Sequence, residues 1–263
     1  MREQLYQCLI ELTNKKWSSK LLQHYTGSSI SKPMIRRFMK FYQINEKEME
    51  HSADDYQTLH DFFMRTLHSE ARTIDKGDLH VTSPVDAMLA DSGVIEPDSV
   101  ITVKGKPYSV EEMLGDKSKA AFYTGGHYMV LYLSPAHYHR IHSPADGTVV
   151  DRWTLGKHSY PVNRIGLAYG KAPLAKNYRD ITELQHSKAK MAIVKVGAMF
   201  VNSIERTHEN PVWKQGEEVA YFNFGSTVVM LFEPDTFVQD NQYSVPCEVK
   251  VGQKLGILKE GNV

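Results

Sequence analysis

The run from Glu218 to Phe232 constrains this fold most. Glu218-Val219-Ala220-Tyr221-Phe222-Asn223 and Val228-Val229-Met230-Leu231-Phe232 carry β-branched and aromatic residues at a density that favours strand. Between them stands Phe224-Gly225-Ser226-Thr227. A glycine inside a strand pattern marks a bulge or a close backbone approach. Taken alone, Gly-Ser-Thr between strands reads as a turn or bulge. A serine directly after such a glycine has a second option. Its hydroxyl lies one residue downstream of the glycine carbonyl, so a strained backbone lets it attack its own preceding peptide bond.

The remainder of the chain sets that segment in context. The 263 residues suit one large domain or a domain with an appended lobe, and 41% hydrophobic content supports a real core. Formal net charge is zero, which gives no sign of nucleic-acid binding. The charge is unevenly spread, however. Residues 1–42 hold eight Lys or Arg against Glu3 and Glu11, so this stretch is +6 and the rest −6. Two cysteines, Cys8 and Cys247, are too few for a disulfide scaffold and fit a reducing compartment. The N-terminus lacks the apolar core of a signal peptide, and no apolar run approaches the ~20 residues that span a bilayer. The expectation is a cytosolic protein that can still lie on a membrane.

Leu5, Cys8, Leu9 and Leu12 have the spacing of an amphipathic helix, and Trp17, Leu21, Leu22 and Tyr25 continue the stripe. A second helix is predicted from Pro33, with Ile35, Phe38, Met39 and Tyr42 beside Arg36, Arg37 and Lys40. Basic residues flanking apolar stripes are the composition of an interfacial helix, although such stripes also pack on a protein's own core. Thr58 is predicted to cap a third helix bearing Leu59, Phe62, Phe63 and Leu67. Arg72 to Asp78 reads as a polar connector. From Val81 the pattern changes to short strands and turns, with Ser109 capping a brief helix that ends near Gly115 and a closing hairpin-like segment at 251–256. The fold class is therefore α+β: a mostly β domain of short antiparallel strands over 76–263, with a helical, basic, membrane-facing lobe over 1–75.

Ser134-Pro-Ala-His-Tyr-His-Arg-Ile-His142 places histidines at 137, 139 and 142. If the strand ending at Leu133 runs on, His137 and His139 share a face. His-x-His on a strand is also a metal-ligand arrangement, and Asp86 in the turn Ser83-Pro84-Val85-Asp86 could complete it, so a metal-dependent hydrolase stays open here. Asp86, a histidine and Ser226 equally supply the nucleophile, base and orienting carboxylate of a relay.

Several blocks together resemble the phosphatidylserine decarboxylases, pyruvoyl-dependent lipid enzymes of bacterial type. They are Phe62-Phe63-Met64-Arg65, Ser83 to Asp86, Val103-Lys104-Gly105-Lys106-Pro107-Tyr108-Ser109, Tyr132 to His142, Val196-Gly197-Ala198, Asn202-Ser203-Ile204 and Phe224 to Thr227. The resemblance covers nearly the whole chain. It implies that Ser226 attacks the Gly225 carbonyl with His142 as base and Asp86 orienting it. The ester would eliminate to dehydroalanine, which hydrolyses to a covalent pyruvoyl group and ammonia. A large chain, 1–225, and a small chain, 226–263, would result. The same resemblance implies a Schiff base between the pyruvoyl at Ser226 and phosphatidylserine, with His139 assisting decarboxylation, and it requires no metal. It further implies a peripheral protein meeting anionic lipid at the cytoplasmic face of the cell membrane, with a homodimer among the options. A non-catalytic lipid-binding module, with Gly225-Ser226 a mere bulge, is the other alternative. Ala87 stands where that family usually carries glycine, which predicts a strained turn after Asp86. Thr73 and the Asn177-Tyr178-Arg179 triplet are further departures.

Overall fold

The computed structural model describes residues 24–162, 166–167, 170, 172–198, 204–223 and 226–259. The helical stripe expected over residues 5–22 lies outside the described residues, as do Asn202, Ser203, Phe224 and Gly225. Strands run in chain order as β1 (His80–Thr82), β2 (Ala87–Val94), β3 (Val100–Val103), β4 (Lys106–Ser109), β5 (His127–Leu133), β6 (Arg140–His142), β7 (Gly147–Leu155) and β8 (Arg179–Gln185). They continue as β9 (Lys190–Gly197), β10 (Ile204–Arg206), β11 (Val212–Trp213), β12 (Glu218–Phe222), β13 (Ser226–Phe232), β14 (Phe237–Gln239), β15 (Cys247–Val249) and β16 (Lys254–Leu258). Eight of them form one sheet in the order β11-β7-β8-β9-β13-β5-β2-β15, and every pairing in it is antiparallel. The architecture is α+β and mostly β, as the sequence implies.

Strand β13 occupies the middle of that sheet because it can be buried on both faces. Val228, Met230 and Phe232 enter one core, where they meet β1 and β16 through Val81, Leu255 and Leu258, and β6 and β12 through Ile141 and Phe222. Val229 and Leu231 enter a second core beneath the helices α3 (Val110–Leu114) and α4 (Lys117–Tyr123) and the β3–β4 hairpin. Alternation along the strand divides the two sets. These five side chains are wholly buried, and at about 1.5–3 kcal/mol each they are worth on the order of 10 kcal/mol to the fold.

The N-terminal lobe has its own small core. Helices α1 (Met34–Tyr42) and α2 (Leu59–Phe63) bury Ile35, Leu59 and Phe62 with Met49 and Ala53. Thr58 caps α2 by accepting from the Asp61 N–H at 3.0 Å. The third helix is shorter than its apolar pattern: Leu67 lies beyond it, bridged to Met49.

Other local expectations are revised. The closing segment is no hairpin: β15 ends in the large sheet and, after a turn through Gly252 at φ 84°, β16 joins β1 and β14 in another. Ala87 is unstrained. It opens β2 opposite Val249, and it is not among the residues with positive φ. Arg72 is no passive linker either, since its guanidinium is committed to Asp86 and Glu48.

Candidate active site

Ser226 is the first residue of β13 and pairs with Leu133 of β5 and Gly197 of β9. It is fully buried, and its hydroxyl has no hydrogen-bond partner. It shares strand parity with Val228, so its side chain faces the core that holds Leu133 and Ile141. Gly197 is held in turn: the buried Asn177 amide donates to its carbonyl at 2.7 Å. Asn177 is a site residue that the sequence offered only as part of a departing triplet.

The histidine block folds over this entry point. The strand stops at Leu133, a turn follows at 135–137, and β6 begins at Arg140, so His137 and His139 do not share the face of one strand. Proline at 135 explains the stop, since it has no N–H to continue a ladder. Two links tie the block to the Ser226 segment. Leu133, just before it, pairs with Ser226, and the His139 carbonyl accepts from Phe222 N–H at 3.0 Å, just before the link to Ser226. The block thus runs from the large sheet at Leu133 to β6 at Arg140 and is bonded to the end of β12 on the way.

Within the block each histidine has a different setting. His137 Nδ1 accepts from Ser134 N–H at 2.9 Å, which leaves Nε2–H to donate to Glu248 at 3.1 Å. His139 is wholly buried under the Phe63 ring, 4.0 Å between centroids. Its Nδ1–H donates to the His137 carbonyl at 2.8 Å, and its Nε2 has no partner. Burial first, then the Arg65 cation, holds its pKa well below the usual histidine value, so it is neutral at physiological pH. His142 donates from Nδ1 to the Gly216 carbonyl at 2.8 Å and accepts from Tyr138 Oη at Nε2, 3.2 Å. Burial lowers its pKa as well, opposed by the Gly216 bond and by the charges of Glu218 and Asp86.

The three residues of the expected relay are not joined by hydrogen bonds: His142 is engaged by Gly216 and Tyr138, and the Ser226 hydroxyl has no partner. Asp86 accepts from Arg72 Nε at 2.9 Å, from Arg72 Nη2, and from Val251 N–H at 2.9 Å. Arg72 outcompetes an imidazole for this carboxylate because its fork makes paired, charge-assisted bonds. Asp86 therefore acts on His142 through its charge. As for a metal, no group of three or more His, Cys, Asp or Glu among the described residues is placed to hold one, and His137 points to Glu248 while His139 points into the core.

The depressed histidines make stability depend on pH. The folded pKa lies below the unfolded value of 6.5, so the unfolded chain binds more protons as pH falls. Stability is full above about pH 6.5 and declines below it, by up to about 1.4 kcal/mol per pH unit for each histidine. Urea unfolding of the uncleaved chain between pH 7 and 5 should show this decline, and His139→Gln should reduce its slope. A flat profile would contradict the burial assigned to both rings.

Beside the Ser226 end of the sheet lies a cavity of about 510 Å³. Its wall is largely apolar, from Met88, Ala90, Tyr132 and Leu167, with Lys104 and His137 also lining it. Tyr132 pairs with Thr227, which places the cavity beside the start of β13.

The candidate site is thus a buried serine with an idle hydroxyl that opens a central strand next to Leu133, the last strand residue before the histidine turn. The sequence profile of the family described as phosphatidylserine decarboxylase matches residues 59–257. The chain is 56% identical over 256 residues to a phosphatidylserine decarboxylase proenzyme of Anoxybacillus flavithermus, covering 97% of each. It is 52% identical to one from Geobacillus sp. strain WCH70 over 259 residues, 98% of this chain and 100% of the relative. A third, from Geobacillus kaustophilus, is 51% identical over 97% of each chain. The chain belongs to the phosphatidylserine decarboxylase family.

Proposed function

We propose that the chain decarboxylates phosphatidylserine to phosphatidylethanolamine and carbon dioxide, using a pyruvoyl group made from its own Ser226. The observation that carries this reading is the position of Ser226: fully buried, partnerless, and first in the central strand of a family member. The residues present fit such a group. It grows from the backbone itself and needs no binding pocket of its own, and the enclosure around Ser226 excludes water. When formed, the group supplies a carbonyl that takes up the electron pair left as the carboxylate departs.

The chain's own residues perform the rest. In maturation His142 accepts the Ser226 hydroxyl proton, and the Asp86 charge favours the imidazolium that results. In turnover the unprotonated Nε2 of His139 accepts a proton from the substrate ammonium and returns it to Cα after carbon dioxide leaves. The bonding pair returns to Cα with that proton, so each cycle consumes one proton, which solvent supplies to the product amine. The cavity takes the headgroup region of the lipid, with Lys104 near the phosphate.

The small chain, 226–263, stays in place after the cut. It keeps β13 between β9 and β5, and β14, β15 and β16 in their sheets. The lobe supplies the approach to the bilayer. Ile30 and Phe41 are 74% and 78% exposed, and they neighbour Lys32, Arg37 and Lys40. Apolar groups beside cations suit peripheral docking to anionic lipid at the cytoplasmic face.

Mass spectrometry of the purified protein tests the proposal. Two species should be found, and the smaller should begin with a keto acid in place of Ser226. An ordinary amine at that terminus in protein releasing carbon dioxide from phosphatidylserine would end the reading. Among variants, His142→Ala should remain one chain, whereas His139→Ala should mature and turn over at least about 100-fold more slowly. The reverse behaviour would exchange the two roles.

A further inference from the structure

Arg65, two residues past the end of α2, is 3% exposed, yet only one of its three guanidinium nitrogens is used. Nη2 donates to the Ala136 carbonyl at 2.8 Å and the His137 carbonyl at 3.0 Å, while Nε and Nη1 have no partner. The guanidinium also lies over the Phe62 ring, 5.3 Å from its centroid. Enclosing a cation this incompletely paired is unfavourable. A purely structural clamp on two carbonyls would not need the charge. The carbonyl of His137 is the informative partner, because it also accepts from Nδ1–H of His139 at 2.8 Å. Arg65 and His139 are therefore anchored on the same oxygen, from the helical lobe and from the histidine turn.

We propose that Arg65 is a positioning residue for the decarboxylation: it fixes the His137 carbonyl that anchors His139 Nδ1–H, so that His139 presents an unprotonated Nε2 to the reacting site. This rests on the reading of His139 as the proton carrier. The shared anchor selects the tautomer, and the adjacent cation discourages a second proton on the ring. His139 faces Arg65 and Phe63 from the lobe and His137 from its own turn. Arg65 in turn faces Tyr56, Tyr138, Asp86 and Arg72, and burial lowers its pKa only to about 10, so it stays charged at neutral pH. An imidazole that were already protonated could not take the substrate's proton. The cation thus holds the carrier empty until substrate arrives, and the lobe that meets lipid also supplies the group that readies the catalytic ring.

The test starts from the full-length Ser226→Ala chain, with histidines labelled in nitrogen-15. The His139 ring should be neutral with its proton on Nδ1 from pH 8 to 6. A proton on Nε2, or titration near 6.5, would overturn the proposal without any change at Arg65. In the same chain Arg65→Met should raise the His139 titration by about one pH unit or more, and Arg65→Lys, which keeps the charge, should raise it less. In the processed enzyme, the acid limb of kcat should move upward with Arg65→Met by the same amount, with KM little changed. An unmoved titration and acid limb in Arg65→Met would refute the assignment. Should the unaltered chain neither cleave nor release carbon dioxide, the proposed function would fall instead, while the resonance measurement would still decide the Arg65–His139 relation.

Discussion

Ser226→Ala is expected to leave a single polypeptide near the full 30.0 kDa, with no keto acid and no decarboxylation above background. The reason lies in what the hydroxyl does and does not do in the fold. It is buried without a partner, so it contributes nothing to stability and imposes the cost of an unsatisfied polar group, about 1–3 kcal/mol. Alanine removes that cost, keeps the Cβ that packs beside Leu133, and retains both backbone ladders to β5 and β9. The variant should therefore unfold at the same or higher urea concentration than the uncleaved parent. Loss of processing with unchanged or raised stability separates a chemical role from a structural one. A variant that still divides into two chains would show that the nucleophile is another group. One that fails to fold would show that the hydroxyl has a structural partner after all.

The sequence was most informative where chemistry and local structure coincide. Gly-Ser-Thr with the long histidine block pointed to family, activity and cofactor, because the two blocks together are specific where either alone is not. The Ser109 cap, its helix and the Gly115 stop were equally legible, since caps are local. Relations across long sequence separations were not. Nothing in the letters says that Arg72 reaches Asp86, that Arg65 crosses 72 residues to the His137 carbonyl, or that Asn177 clamps Gly197. Each is an ordinary polar residue until topology brings its partner near. The expectation of a shared His137–His139 face failed for a local reason that was visible, namely proline at 135. The Ala87 strain failed because the backbone there is extended, where any residue fits.

The same limit applies to the second large effect, which no motif announces. Lys195 of β9 is wholly buried and paired with Asp180 of β8, and its Nζ also donates to Thr182 Oγ1 at 2.9 Å. Arg206 of β10 adds a bond to Asp180 at 2.6 Å. Val228, Lys195 and Asp180 form one row across three strands, two residues along from the Ser226 pairing. Asp180→Asn would leave Lys195 as an uncompensated charge in the core, which costs about 3–5 kcal/mol. Arg206, being partly exposed and 3.7 Å from Glu209, has other recourse. Burial already lowers the Lys195 pKa, and loss of Asp180 would lower it further. In the variant the unfolded chain then binds more protons than the folded one at pH values between the folded and unfolded Lys195 pKa, so its stability should rise as pH is raised towards 10. Urea unfolding in the single-chain Ser226→Ala background measures this without the complication of two chains. Replacing both partners with apolar residues, Asp180→Leu with Lys195→Met, should recover most of the loss, because an ion pair in a core contributes little net stability once neither charge is stranded. A destabilisation of Asp180→Asn below about 1 kcal/mol, the scale of a solvent-exposed pair, would mean that water reaches Lys195 and that the core beside the reactive strand is wetter than its packing indicates.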